Sequence, residues 1–170
     1  MKIEEGAAMY DQAILAIFLN NWSEAIRTAE RLQISLRRLK ANFPLDGKEL
    51  KDPSDDLIDG LDAFRVRYSD LQDCIGNKIF RGILLLEEET PASTLDVLNK
   101  MEKRKIIHTV DAWRKQREIR NAFAHDYPNK ESDKAEALNA AWETAPAMIA
   151  LLKSIVKYFK PHLILELGAL

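Results

Sequence analysis

The sequence predicts an all-α protein, an up-and-down bundle of about five helices, from two observations. Apolar residues recur at spacings of three and four in each long segment, and nowhere do they alternate at the period of two that marks a half-buried strand. The stripes also stop where prolines and turn residues stand, at Pro44, Pro53, Pro91, Pro128 and Pro161. The 170 residues, 46% hydrophobic and 31% charged, fit one domain over residues 1–170 with a core of its own.

The first stripe, Ile14, Phe18, Trp22, Ala25, Ala29, Leu32, Leu36, Leu39 and Phe43, predicts a helix over about Met9 to Phe43. Asn20-Asn21 marks a bend in it, after which Ser23 caps a second segment. Ser54 caps the next helix, with Asp55 and Asp56 where a helix N-terminus favours negative charge. Its inner stripe runs Leu57, Leu61, Phe64, Tyr68, Leu71, Ile75, Ile79, Ile83 and Leu86. Gly60, Gly76 and Gly82 interrupt it, each costing about 1 kcal/mol relative to alanine, either for close helix approach or as tolerated positions. Cys74 beside Leu71 and Ile75 reads as a small core residue.

Ser93 to Asp96 resembles a helix start, with Leu95, Leu98 and Met101 as the apolar face of a short helix ending near Arg104. Thr109 caps a further helix over about Val110 to Asp126, anchored by Ala112, Trp113, Ile119, Ala122 and Phe123. The last helix spans about Asp133 to Phe159, with Leu138, Trp142, Ala145, Ile149, Leu152, Val156 and Phe159 inward and a kink at Pro146. The tail from His162 to Leu167 serves either for packing or as a partner contact.

A net charge of −2 argues against a generic polyanion binder. The charge is segregated, however. Residues 100–120 carry a local +5, and residues 49–73 a local −5. The single cysteine forms no internal disulfide and no zinc spacing. The N-terminus lacks a basic region followed by an apolar run, and no uncharged stretch approaches spanning length, so a soluble, cytoplasmic protein without membrane contact is expected. No glycine-rich phosphate loop, no Gly-x-Ser-x-Gly and no paired-histidine motif occurs, so P-loop hydrolysis, serine triads and zinc hydrolysis are unsupported. His108 reads as an ordinary loop residue. No metal and no cofactor is expected.

Chemistry concentrates in the stretch from Arg117 to Pro128, where Arg117, Arg120, Asn121, His125 and Tyr127 gather near a helix end. A guanidinium stabilises developing negative charge, and an imidazole titrating near neutrality moves a proton. Arg117 and Arg120, three apart, share a helix face. At about 100° per residue, five steps leave Arg120 and His125 about 140° apart on a straight helix, whereas Tyr127 returns within about 20° of Arg120. One subunit therefore offers an awkward pair, which a bent helix end or a second motif helix across a twofold axis would cure.

Arg-x4-His-x-Tyr over Arg120 to Tyr127, with a polar residue straight after the arginine, resembles the signature of the HEPN superfamily, closest to its HepT-like branch. The resemblance extends to Ala63–Leu71, Gly76–Arg81, Leu95–Ile107 and Trp113–Arg117, about residues 55–128 in all. It implies a HEPN-like helical domain that forms homodimers with a composite cleft. It further implies the toxin of a toxin–antitoxin pair, a metal-independent ribonuclease neutralised by a cognate minimal nucleotidyltransferase antitoxin. In that reading His125 is general base or acid around the ribose 2′-hydroxyl and the leaving oxygen. Arg120 neutralises the pentacoordinate phosphate. Asn121 either orients His125 or holds a phosphate oxygen, Arg117 docks the RNA backbone, and Tyr127 contacts RNA or the reacting phosphate. Tyr127 is also the residue on which the resemblance places AMP attachment by the transferase. The alternative is a HEPN subunit without nuclease activity, binding nucleotide or substrate for a nucleotidyltransferase.

Overall fold

Asp11 starts the first helix: its carboxylate accepts from the backbone N–H groups of Ala13 and Ile14, at 2.9 and 3.0 Å, two of the donors that a helix start leaves without a partner. The structure, a computed structural model, describes residues 9–124 and 131–170. Helix α1 covers Gln12–Leu39. Its buried face, Leu15, Phe18, Trp22, Ala25, Ile26, Ala29, Leu32 and Leu39, follows the predicted stripe closely. The bend at Asn20-Asn21 is absent. Ser23 does not cap a new segment; its hydroxyl donates to the Leu19 carbonyl within a continuous helix. The reason is long-range: Phe18 and Trp22 are buried on either side of the pair, Phe18 with its ring 5.7 Å from that of Phe159.

The loop after α1 is fixed from outside. Phe43 stacks on Trp142 at 4.0 Å, and the Asn139 side chain accepts from the Leu45 N–H and donates to its carbonyl. Ser54 then caps α2, Asp55–Cys74, by accepting from the Leu57 N–H at 3.3 Å. The rod continues through a π-helical segment, Ile75–Ile79, into α3, Phe80–Leu86. Within it the Phe80 N–H donates to the Ile75 carbonyl five residues back. The apolar residues Leu71, Ile75, Ile79 and Ile83 are spaced by four, and in a pure α-helix each such step drifts by about 40°. The wider π turn absorbs that drift and keeps all four buried.

Glycines make the approaches close. A Cβ on Gly82 would stand 2.8 Å from the Phe18 ring, and one on Gly76 3.2 Å from the Trp113 indole. Helix α4, Thr94–Lys103, is capped by Ser93. Its buried residues are Val97, Leu98 and Met101; Leu95 is exposed, contrary to expectation, and Val97 takes its place on the buried face. Thr109 accepts from the Ala112 N–H and begins α5, Val110–Ala124. Trp113, Ile119 and Phe123 bury themselves, while Ala112 and Ala122 are exposed and anchor nothing. The expected end of this helix at Asp126 lies outside the described residues.

Helix α6, Glu131–Phe159, runs through Pro146, which is exposed. The tail packs on α1: Leu163 and Leu165 are buried, Trp22 Nε1 donates to the Glu166 carbonyl at 2.8 Å, and the Ala169 N–H donates to Glu30. The described residues thus form an all-α helical bundle around one contiguous core, with α2 in contact with α1, α5 and α6. No helix among them is long and apolar enough to cross a membrane.

Candidate functional site

Helix α5 is held on the α2–α3 rod at both ends, and that fixes what its outer edge presents. At the N-terminal end Trp113 sits over Gly76 and beside Phe80, ring centres 4.8 Å apart. At the other end Phe123 meets the Tyr68 ring edge-on at 5.8 Å, and Arg65 Nη2 donates to the Phe123 carbonyl at 3.0 Å. Tyr68 is itself tied to Thr144 of α6, hydroxyl to hydroxyl at 2.9 Å. Burial pushes its phenol up to about 12, so it is a neutral packing group.

Between these anchors Arg117, Arg120 and Asn121 line one cleft of about 240 Å³. The opposite wall is Gln72, Asp73, Asn77 and Arg81 from the rod. Arg117 and Asn121 are exposed and Arg120 is half-buried. Arg120 Nε donates to Asp73 Oδ1 and Oδ2 at 2.9 and 3.0 Å, and Nη2 donates to Oδ2 at 2.6 Å. This contact holds the guanidinium pKa above its ordinary value, against the opposing effect of burial. The group is permanently charged, with its plane fixed by a carboxylate.

Asp73, Asn77 and Arg81 were given no role by sequence reasoning. The signal was the charge segregation: an acidic α2 and a basic α5 that pack together must pair somewhere, and Asp73 with Arg120 is that pair. Only part of the basic stretch faces the cleft. Arg104 is bound by Glu87 and Glu89, and Lys100 by Glu89 and Asp96 at 3.1 and 3.2 Å, in a structural network that also takes in the Tyr158 hydroxyl on Glu87.

His125 and Tyr127 lie outside the described residues. A larger cleft, about 450 Å³, opens between α1 and the start of α2 around Arg38, Asn42, Asp56 and Arg67, and carries none of the motif residues. Cys74 is buried, its thiol pushed up to about 11 by burial and then by Glu24, which leaves it no nucleophile near neutrality. Among the described residues no group of three or more His, Cys, Asp or Glu side chains is placed to hold a metal ion. Compared with protein-family models, with curated proteins and with solved structures, the chain finds no match in any of the three.

Proposed function

We propose that the protein is a HEPN-like, metal-independent ribonuclease of the HepT kind, in which the ribose 2′-hydroxyl attacks the adjacent phosphate. The observation that carries this reading is the gathering of Arg117, Arg120 and Asn121 on one cleft wall leading to His125 in sequence. Arg120 is the electrostatic partner of the phosphorane, and the edge of its guanidinium turned from Asp73 supplies the donors. His125 takes the 2′-hydroxyl proton or protonates the leaving oxygen. Asn121 and Arg117 hold the flanking backbone. The product is a 2′,3′-cyclic phosphate, because the nucleophile belongs to the RNA. RNA incubated with the protein in EDTA should therefore yield cyclic-phosphate ends, and intact RNA would count against the reading.

The proposal includes a homodimer and a cognate nucleotidyltransferase antitoxin as partners. The dimer rests on the wide angle between Arg120 and His125 on a straight helix. Mixed Arg120→Ala and His125→Ala subunits should regain cleavage, whereas a monomer in light scattering removes that basis.

One observation favours a second reading, the docking subunit of a nucleotidyltransferase without nuclease activity. Asp73 balances the charge of Arg120, which weakens the pull on an incoming phosphate. The same contact fixes the guanidinium plane. Replacing Asp73 tells which effect dominates.

A further inference from the structure

The cleft at α5 shares a wall with a groove of about 440 Å³ between α1 and α2: Asp73 and Asn77 line both. The two hollows are therefore the two sides of one ridge. Around the groove, Lys78 is engaged by Glu24 at 2.7 and 2.9 Å, and at the ridge Asp73 is engaged by Arg120. Arg27 and Arg31, exposed and one turn apart on α1, have no carboxylate partner among the described residues. The same is true of Arg81 and Arg117 across the ridge. Against these four guanidiniums stands Asp70 alone as an unpaired acid in the groove. Exposed cations without a carboxylate partner also occur elsewhere, Arg37 and Arg38 among them; what sets these four apart is that they border two hollows sharing the Asp73–Asn77 ridge.

We propose that the α1–α2 groove is a second phosphate-binding subsite, and that one single strand of RNA crosses the Asp73–Asn77 ridge from one hollow to the other. This rests on the ribonuclease reading for its substrate class. Phosphates on one side meet Arg27 and Arg31, and those on the other meet Arg117 and Arg120. Asn77, exposed on the ridge, presents an amide donor and acceptor to the ribose or base that passes over it. The ligand is a flexible phosphodiester chain and not a mononucleotide, since the cationic surplus is divided between two hollows.

The test compares the parent with Arg27→Ala/Arg31→Ala on a dinucleoside monophosphate, which fills only the α5 cleft, and on a 12-nucleotide single-stranded RNA. The variant should raise the KM for the 12-mer about tenfold and leave dinucleotide cleavage unchanged. Its binding to a non-cleavable 2′-O-methyl 12-mer should lose about 1.4 from the log–log salt slope, the value for two single-strand phosphate contacts. Unchanged KM and slope overturn the subsite while the nuclease reading stands. An equal effect from Arg37→Ala/Arg38→Ala also overturns it, because overall charge would then be the cause. If the parent cuts neither substrate, the nuclease reading falls, and the 2′-O-methyl 12-mer alone decides. A reduced slope in the variant then supports the groove as an RNA docking surface, and no binding by the parent overturns it.

Discussion

The side-on contact of Arg120 with Asp73 occupies Nε and Nη2 and leaves Nη1 without a partner among the described residues. A carboxylate in that position does two opposed things: it fixes the guanidinium plane and it cancels part of the charge. The pair is partly open to solvent, with side-chain exposures of 30% and 37%, so its Coulombic effect is screened and its contribution to stability is below about 1 kcal/mol.

Replacement of Asp73 should separate them. Asp73→Asn is expected to lower kcat for RNA cleavage about tenfold with little change in KM or melting temperature, and Asp73→Glu should recover part of the loss. Unchanged or faster cleavage by Asp73→Asn would mean that Asp73 only neutralises Arg120.

Much of this fold was legible because its determinants are local. The caps at Ser54, Ser93 and Thr109 work through hydrogen bonds spanning three residues, and the stripes of α1 and of the α2–α3 rod follow from helix geometry. The errors have distant causes. The Asn20-Asn21 bend is overridden by packing against Gly82 and Phe159, far along the chain. The π turn depends on keeping Ile75, Ile79 and Ile83 on one buried face. In the site, the sequence shows Arg117, Arg120 and Asn121 on one element. Asp73, 47 positions away from Arg120, becomes its partner only when α2 and α5 pack.

Packing at Gly82 gives a stability prediction. Alanine there gains about 1 kcal/mol of helix propensity, but its Cβ would stand 2.8 Å from Phe18, a ring only 1% exposed. Overpacking a close-packed core costs about 1–3 kcal/mol. Gly82→Ala should therefore lower the melting temperature by about 3 °C. A raised melting temperature would mean that the Phe18 ring yields freely.

Cys74 gives a pH prediction. The folded pKa of about 11 lies above the ordinary thiol value of about 8.5. The unfolded chain releases the proton first, so this residue's contribution to stability is intact below about 8.5 and declines as pH rises towards about 11. In denaturant titrations, Cys74→Ala should flatten that alkaline decline. A thiol reagent at pH 8 should label the native protein at least about 100-fold more slowly than the unfolded chain. Equal labelling rates would contradict the burial of the thiol.

Tyr127 gives a prediction about control. In the proposed reading, an adenylyl group on its phenol would add a phosphate and a base that compete with RNA for Arg117 and Arg120. Intact mass after co-expression with a cognate nucleotidyltransferase should show added AMP that disappears in Tyr127→Phe. An unmodified protein that its partner still silences would point to occlusion instead.

In the proposed function Arg120 and His125 act together on RNA without a metal. The most direct measurement is cleavage of a labelled single-stranded RNA in EDTA by the purified parent, Arg120→Ala and His125→Ala, each with helicity and oligomer size checked. Cyclic-phosphate products are expected from the parent, with rates at least about 100-fold lower from each variant. A His125→Ala protein that cuts as fast as the parent would contradict the joint action of Arg120 and His125.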